Sequence, residues 1–262
     1  MEHNVLNETT RFHSRILSSY LKAESHNLRS YVYLEVMSYE VALFDLDSTL
    51  FDSALSEKLA LKASFEHYAI SLTNEFLSQY KIINTQLWLD FEQGTITLDQ
   101  LRVERFSRLC QKLNLTIPPH ELANLYEGNL GISGKLYAGA TELLALIKQT
   151  AKTGLITNGL ESVQKARLRH FNLYQYFDAI LISGECGLSK PDPAIFQSSL
   201  DLLNHEHVDS VLMIGDSLSS DIAGANNFGI DSCWYNPKRL KLQSNISPTF
   251  TVYSLQEIAN LF

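Results

Sequence analysis

The sequence predicts an α/β protein: a Rossmann-like, doubly wound parallel sheet with an inserted all-α domain. Three observations predict it. Short apolar runs recur and stop abruptly at polar residues, as strands buried on both faces do. Stretches of helical period fill most gaps between those runs. One long segment after the first run has helical periodicity but nothing of strand type.

The first run is Val41-Ala42-Leu43-Phe44, and it ends at Asp45. Gly154-Leu155-Ile156, Ala179-Ile180-Leu181-Ile182, Val211-Leu212-Met213-Ile214 and Cys233-Trp234-Tyr235 come after it. Helical stretches lie at 141–150, 162–171, 194–203 and 220–228, so strand and helix alternate. Residues 53–136 break the alternation. Leu59, Ala63 and Phe65, then Leu98, Leu101, Phe106 and Leu109, fall at helical spacing there. Pro118-Pro119 and Gly128, Gly131 and Gly134 punctuate the segment. The expected organisation is a catalytic core of residues 37–52 and 137–262 with an α-helical insertion over 53–136.

Residues 1–36 do not resemble the rest of the chain. Phe12, Ile16, Leu17, Tyr20 and Leu21 share one helical stripe. An amphipathic docking or dimerisation helix is one reading. An appendage upstream of a start at Met37 is the other.

The chain has 262 residues, enough for a core domain carrying a smaller one. Apolar residues make up 45% and charged residues 19%, which places it with globular rather than disordered chains. The net charge of -8 argues against a nucleic-acid polymer or an anionic membrane as partner. A small phosphorylated substrate stays compatible, because a local site can be positive on an acidic protein. Cys110, Cys186 and Cys233 are too few and scattered for a disulfide frame or a zinc cluster. With no run of about 20 apolar residues and no signal-type leader, a cytoplasmic enzyme is expected. Monomer and homodimer are both left open.

In open α/β sheets, ligands bind beyond the carboxyl ends of the strands. Asp45-Leu46-Asp47-Ser48-Thr49 follows the first run and Thr157-Asn158-Gly159 the second. Ser189-Lys190-Pro191 precedes a later helix. Gly215-Asp216-Ser217 and then Asp221 follow the fourth run. Each single motif is weak, since a loop aspartate is most often solvated or a cap or turn residue; Asp192, between two prolines, reads as a turn residue. Four in order, each at a strand end or crossover, are strong.

These residue types suit phosphoryl transfer. Asp45 can attack phosphorus and form an aspartyl-phosphate. Mg²⁺ held by Asp45 and Asp216 would remove the repulsion between carboxylate and phosphate, and hard oxygen ligands suit that ion. Lys190 adds positive charge, Thr157 a hydroxyl donor, and backbone amides near Leu46 and Asn158 complete a phosphate cradle. Asp47 can protonate the leaving alkoxide and later accept a proton from water. Asp221 stands behind the metal or ligates it in part.

The chain from Tyr39 to Phe262 thereby resembles the phosphatases of the haloacid dehalogenase superfamily. Phe44-Asp45-Leu46-Asp47-Ser48-Thr49-Leu50 matches the first motif of that family, Thr157 the second, Lys190 the third, and Gly215-Asp216 through Asp221 the fourth. The resemblance implies a Mg²⁺ ligated by Asp45, Asp216 and the backbone carbonyl of Asp47. It also implies that the helical insertion is a mobile cap. Ser48 departs from the glycine many relatives carry, which bears on the local loop.

Thr157-Asn158-Gly159-Leu160 with Gln164 and Arg167, the cap stretch 84–88 with Gln93-Gly94, and Cys233-Trp234-Tyr235-Asn236 look like the pyrimidine 5′-nucleotidase branch. By that resemblance the substrates are nucleoside monophosphates such as UMP, dUMP and dTMP, with Asn158, Asn84 and Trp88 binding substrate. Trp88 can stack a flat base while Asn84 or Gln86 bonds its edge. Equally, Trp88 can belong to the cap core and Asn84 to a helix surface. A sugar-phosphate or phosphoglycolate-type phosphatase is the alternative, because the core motifs read only the phosphate. A phosphomutase must keep its phosphoenzyme from water. A dehalogenase needs neither the metal nor an acid at Asp47. A non-catalytic phosphometabolite-binding module would have no use for the intact Asp45, Asp47, Thr157, Lys190 and Asp216.

Overall fold

The side chains of Val41, Ala42, Leu43 and Phe44 alternate across an extended backbone and are all apolar, so this strand needs cover on both faces. The computed structural model of the chain describes residues 39–242 and 245–262. The stripe read in residues 1–36 lies outside them. Strand β1 (Val41–Phe44) is wholly buried. Ala42 and Phe44 enter the apolar cluster on one face of the sheet, Val41 and Leu43 the cluster on the other. β2 (Lys152–Thr157), β3 (Ala179–Ile182), β4 (Val211–Gly215), β5 (Asp231–Tyr235) and β6 (Phe250–Val252) complete a sheet of order β3-β2-β1-β4-β5-β6. Every pairing is parallel. The doubly wound sheet is the one predicted. β6 is an addition: a three-residue edge strand with Thr251 exposed, too short to stand out as an apolar run.

After β1 the chain forms four helices: α1 (Ser53–Glu66), α2 (Asn74–Glu92), α3 (Leu98–Lys112) and α4 (Pro119–Leu130). Their starts follow from local chemistry. Asp52 accepts from Leu55 N at the head of α1, Thr73 caps α2, Thr97 and Gln100 form a capping box on α3, and Pro119 opens α4. The four bury a cluster of their own, including Leu61, Phe65, Tyr80, Phe106 and Tyr126. On α3 the predicted Leu101, Phe106 and Leu109 are buried. On α1 the predicted stripe is wrong in part: Leu59 is 41% exposed, and Ala63 is exposed too. Ser56, Ala60, Leu61, Ser64 and Phe65 are buried instead. The physical reason is that Ser56 and Ser64 satisfy their hydroxyls, on Leu130 O (3.2 Å) and Ala60 O (2.7 Å). Small serines then let α1 pack closely on α4.

The insertion leaves and rejoins the core side by side. Asp52 N donates to Lys135 O and Tyr137 N to Leu50 O, each at 2.9 Å. Beyond it, α5 (Ala140–Ile147), α6 (Glu161–His170) and α10 (Leu255–Ala259) supply the face of Ala42 and Phe44. α8 (Pro193–Leu202) and α9 (Ala223–Phe228) supply the opposite face, and α7 (Ser183–Cys186) is a single turn after β3. Asp192 is the N-cap of α8, accepting from Ala194 N, rather than a simple turn residue. The winding reverses between β1 and β4. Their carboxyl ends therefore open onto the crevice where ligands of such sheets bind.

Candidate active site

Phe44 is in register with Leu155 on one side and Ile214 on the other. The residues at the carboxyl ends of these strands, Asp45, Thr157 and Gly215-Asp216, therefore emerge together. Asp45 is 6% exposed and its N–H donates to Ile214 O. Lys190 is 1% exposed. Its Nζ lies 2.7 Å from Asp45 Oδ1 and 2.7 Å from Asp221 Oδ1. The loop that delivers Lys190 is held by Asn158, whose Oδ1 accepts from Lys190 N (2.9 Å) and whose Nδ2 donates to Lys190 O (2.8 Å). The Asn158 side chain is thus engaged by protein, and its backbone is what remains for a ligand.

Asp216 follows β4, and its carbonyl accepts from Trp234 Nε1 at 2.9 Å, a tie from the neighbouring strand. Asp221 comes back toward β4 through the wide helical turn Leu218–Ile222, and its Oδ2 accepts from Ser217 N at 2.9 Å. Asp47 is half-buried on the other side. Arg167 Nη1 donates to both of its oxygens (2.7 and 2.9 Å), and Gln164 Nε2 donates to Oδ2 (2.7 Å). Gln164 Nε2 also lies 2.9 Å from Thr157 Oγ1. Ser48 adopts φ of 65°, the left-handed region glycine tolerates best, and its hydroxyl pairs with that of Ser53 at 2.7 Å.

Oxygens of Asp45, Asp216 and Asp221 lie within 4.8 Å of one another, which no other described trio of acidic, histidine or cysteine side chains matches. Burial, with repulsion from the neighbouring carboxylates, pushes Asp45 up to about 7 and Asp216 up to about 8. Burial alone would lower Lys190, but Asp221 and Asp45 hold it above its ordinary value. One ammonium thus faces three crowded carboxylates. An all-oxygen donor set with excess negative charge fits a hard divalent cation such as Mg²⁺.

The insertion brings further groups to this edge. Asn84 is 6% exposed rather than a helix-surface residue. Its Nδ2 donates to Glu57 Oε1 (2.9 Å), while its Oδ1 is buried without a partner among the described residues. Burial pushes Glu57 up to about 7, and the charges of Arg105, Asp47 and Arg167 all act on it. Trp88 is half-buried, edge-on to Phe91, and stands outside the apolar cluster of the insertion. Glu92 Oε2 accepts from Ser219 Oγ (2.8 Å), across to the loop after β4. Gln86 is exposed and donates to Asp90. Glu57 and Glu92 had no signal in the sequence, since a glutamate on a helix ordinarily reads as a solvated face.

Residues 39–229 match the family model of the haloacid dehalogenase-like hydrolases. The chain belongs to that family. Among relatives, the pyrimidine 5′-nucleotidase YjjG of Escherichia coli (strain K12) is 35% identical over 225 residues, 86% of this chain and 98% of its own length. The pyrimidine 5′-nucleotidase PynA of Streptococcus pneumoniae is 34% identical over 85% of this chain and 94% of its own length. Among solved structures, that of the haloacid dehalogenase-type protein YfnB of Bacillus subtilis superposes with a TM-score of 0.81 at 34% identity. It covers 86% of this chain and 98% of that one, and it contains bound magnesium and shows interdomain movement. This chain, a haloacid dehalogenase-like hydrolase, is a phosphoric monoester hydrolase. No helix among its described residues is long and apolar enough to cross a membrane.

Proposed function

We propose that this hydrolase is a 5′-nucleotidase of pyrimidine nucleoside monophosphates that works through a phosphorylated Asp45. The observation that carries the mechanism is the convergence at β1 and β4: Asp45 and Asp221 both sit 2.7 Å from Lys190, with Asp216 alongside. Asp45 attacks phosphorus as the ester P–O bond breaks, and Asp47 gives a proton to the departing alkoxide. A water then attacks, losing a proton to Asp47, and the P–O bond to Asp45 breaks. Lys190 and the Thr157 hydroxyl hold the phosphoryl oxygens, with the Asn158 backbone beside them. Repulsion between two unit charges 4 Å apart is about 4 kcal/mol at an effective dielectric of 20, so the positive charge is essential. Asp45, Asp216, the Asp47 carbonyl and Asp221 would hold Mg²⁺, which supplies the rest of that charge.

Residues 53–136 act as the cap, and specificity lies in them because the core reads only phosphate. Asn84, whose buried oxygen has no partner among the described residues, and Trp88 face the base. Two relatives at 34–35% identity, each a pyrimidine 5′-nucleotidase, support the substrate class.

A panel of phosphate monoesters assayed with Mg²⁺ tests this. UMP, dUMP and dTMP should give the highest kcat/KM, and Asp45→Asn should abolish turnover. A preference for sugar phosphates or phosphoglycolate overturns the nucleotidase reading alone. An Asp45→Asn variant within about tenfold of wild type overturns the mechanism.

A further inference from the structure

Both oxygens of Asp47 are held by a helix that carries no residue of the four motifs. Arg167, 2% exposed, donates through Nη1 to both oxygens. It also bonds Gln164 Oε1 at 3.1 Å. Its guanidinium lies over the Phe51 ring, 4.2 Å from the centroid, so the fork is fixed by packing as well as by charge. Gln164 is equally buried, and its Nε2 joins Asp47 Oδ2 (2.7 Å) to Thr157 Oγ1 (2.9 Å). A methyl at Gly159 would lie 2.8 Å from that Nε2, so the turn after β2 leaves room for the amide and little else. A half-buried carboxylate on a loop has several rotamers available. Here three donated bonds select one.

We propose that Gln164 and Arg167 are positioning residues that set Asp47 for proton transfer to the leaving group and couple its placement to Thr157. The inference rests on the reading of Asp47 as the proton donor. In the first half-reaction an oxygen of Asp45 forms the bond to phosphorus, the ester P–O bond breaks, and the Asp47 proton moves to the ester oxygen. An alkoxide, such as the 5′-oxygen of a nucleoside, needs that proton. p-Nitrophenolate is a stable anion and leaves without it. A fault in the position of Asp47 therefore harms the two substrates unequally, whereas a general loosening of the site harms them together. kcat/KM reports only the steps up to phosphoenzyme formation, so dephosphorylation, common to both substrates, drops out.

The experiment compares kcat/KM for UMP and for p-nitrophenyl phosphate in wild type, Asp47→Asn, Gln164→Met, Arg167→Met and Arg167→Lys. Asp47→Asn should lower the UMP value about 100-fold relative to p-nitrophenyl phosphate, the usual worth of a placed general acid. Gln164→Met and Arg167→Met should each lower that ratio about tenfold, and Arg167→Lys should recover part of it. Loss of the Gln164 bond to Thr157 lowers both substrates and cancels in the ratio. If Asp47→Asn shifts the ratio while both methionine variants leave it at the wild-type value, the positioning role is overturned and the acid role stands. If Asp47→Asn leaves the ratio unchanged, the acid role falls, and the inference with it. Melting curves accompany each variant; should Arg167→Met not fold, Gln164→Met decides alone.

Discussion

At Gly215 a side chain has no room. A Cβ there would sit 2.1 Å from Asp221 Oδ2, the oxygen that Ser217 N also binds. Asp221 approaches the end of β4 so closely that only glycine lets it reach Lys190. Gly215→Ala must displace Asp221, and with it the Lys190 ammonium that Asp221 and Asp45 share. Mg²⁺ activation should then shift to higher concentration by about 10- to 100-fold, as expected when a group supporting a metal site moves. Titrating Mg²⁺ against initial rate measures this, and an unshifted curve would remove Asp221 from the metal site. The adjoining strain at Ser48, with φ of 65°, is of the order of 1 kcal/mol or more for a residue with a Cβ. Its bond to Ser53 offsets part of that cost.

Helix α2 places its polar groups by period. Asn84, Trp88 and Glu92 are four residues apart and share one face. Asn84 meets Glu57 on α1, and Glu92 meets Ser219 in the loop after β4, so this face spans from the insertion to the catalytic edge. Trp88 lies between them, half-buried and outside the apolar cluster that Tyr80 joins from the same helix. Trp88→Ala should therefore cost about 1 to 3 kcal/mol of substrate binding, the worth of a base–aromatic stack. The loss should appear in kcat/KM for UMP, with a smaller effect on p-nitrophenyl phosphate and little change in Tm. Equal damage to both substrates with a lower Tm would return Trp88 to the core of the insertion.

For the whole molecule the crowded carboxylates link stability, pH and metal. In the metal-free chain Asp45 stands at about 7 and Asp216 at about 8 against an ordinary 3.8, and Glu57 at about 7 against 4.5. The folded state then holds more protons than the unfolded state from about pH 4 to about pH 8, so stability falls as pH rises through that window. Mg²⁺ replaces the protons of Asp45 and Asp216, so its stabilising effect should grow with pH across the same range. Thermal melts with Mg²⁺ and with EDTA should differ little near about pH 5 and clearly near about pH 8. An equal shift at both would mean that the ion binds elsewhere than at Asp45 and Asp216.

What the sequence determined by itself is what depends on near neighbours. A run of four apolar residues ending at Asp45 specifies a strand buried on both faces with a carboxylate at its tip, whatever surrounds it. The same holds at Thr157 and at Gly215-Asp216. The regular alternation with helices then leaves few ways to wind the sheet, so the ends of β1, β2 and β4 meet. Tertiary structure alone decided which partner each side chain takes. Leu59 and Ala63 had the better helical period on α1, yet Ser56 and Ser64 are buried because α4 lies against them and satisfies or tolerates their hydroxyls. Asn158 holds the Lys190 loop with its side chain. Gln164 and Arg167 converge on Asp47 from 117 and 120 residues away in sequence. Such pairings follow from where whole elements pack, and the free energy that selects them comes from surface buried between distant segments rather than from any local run.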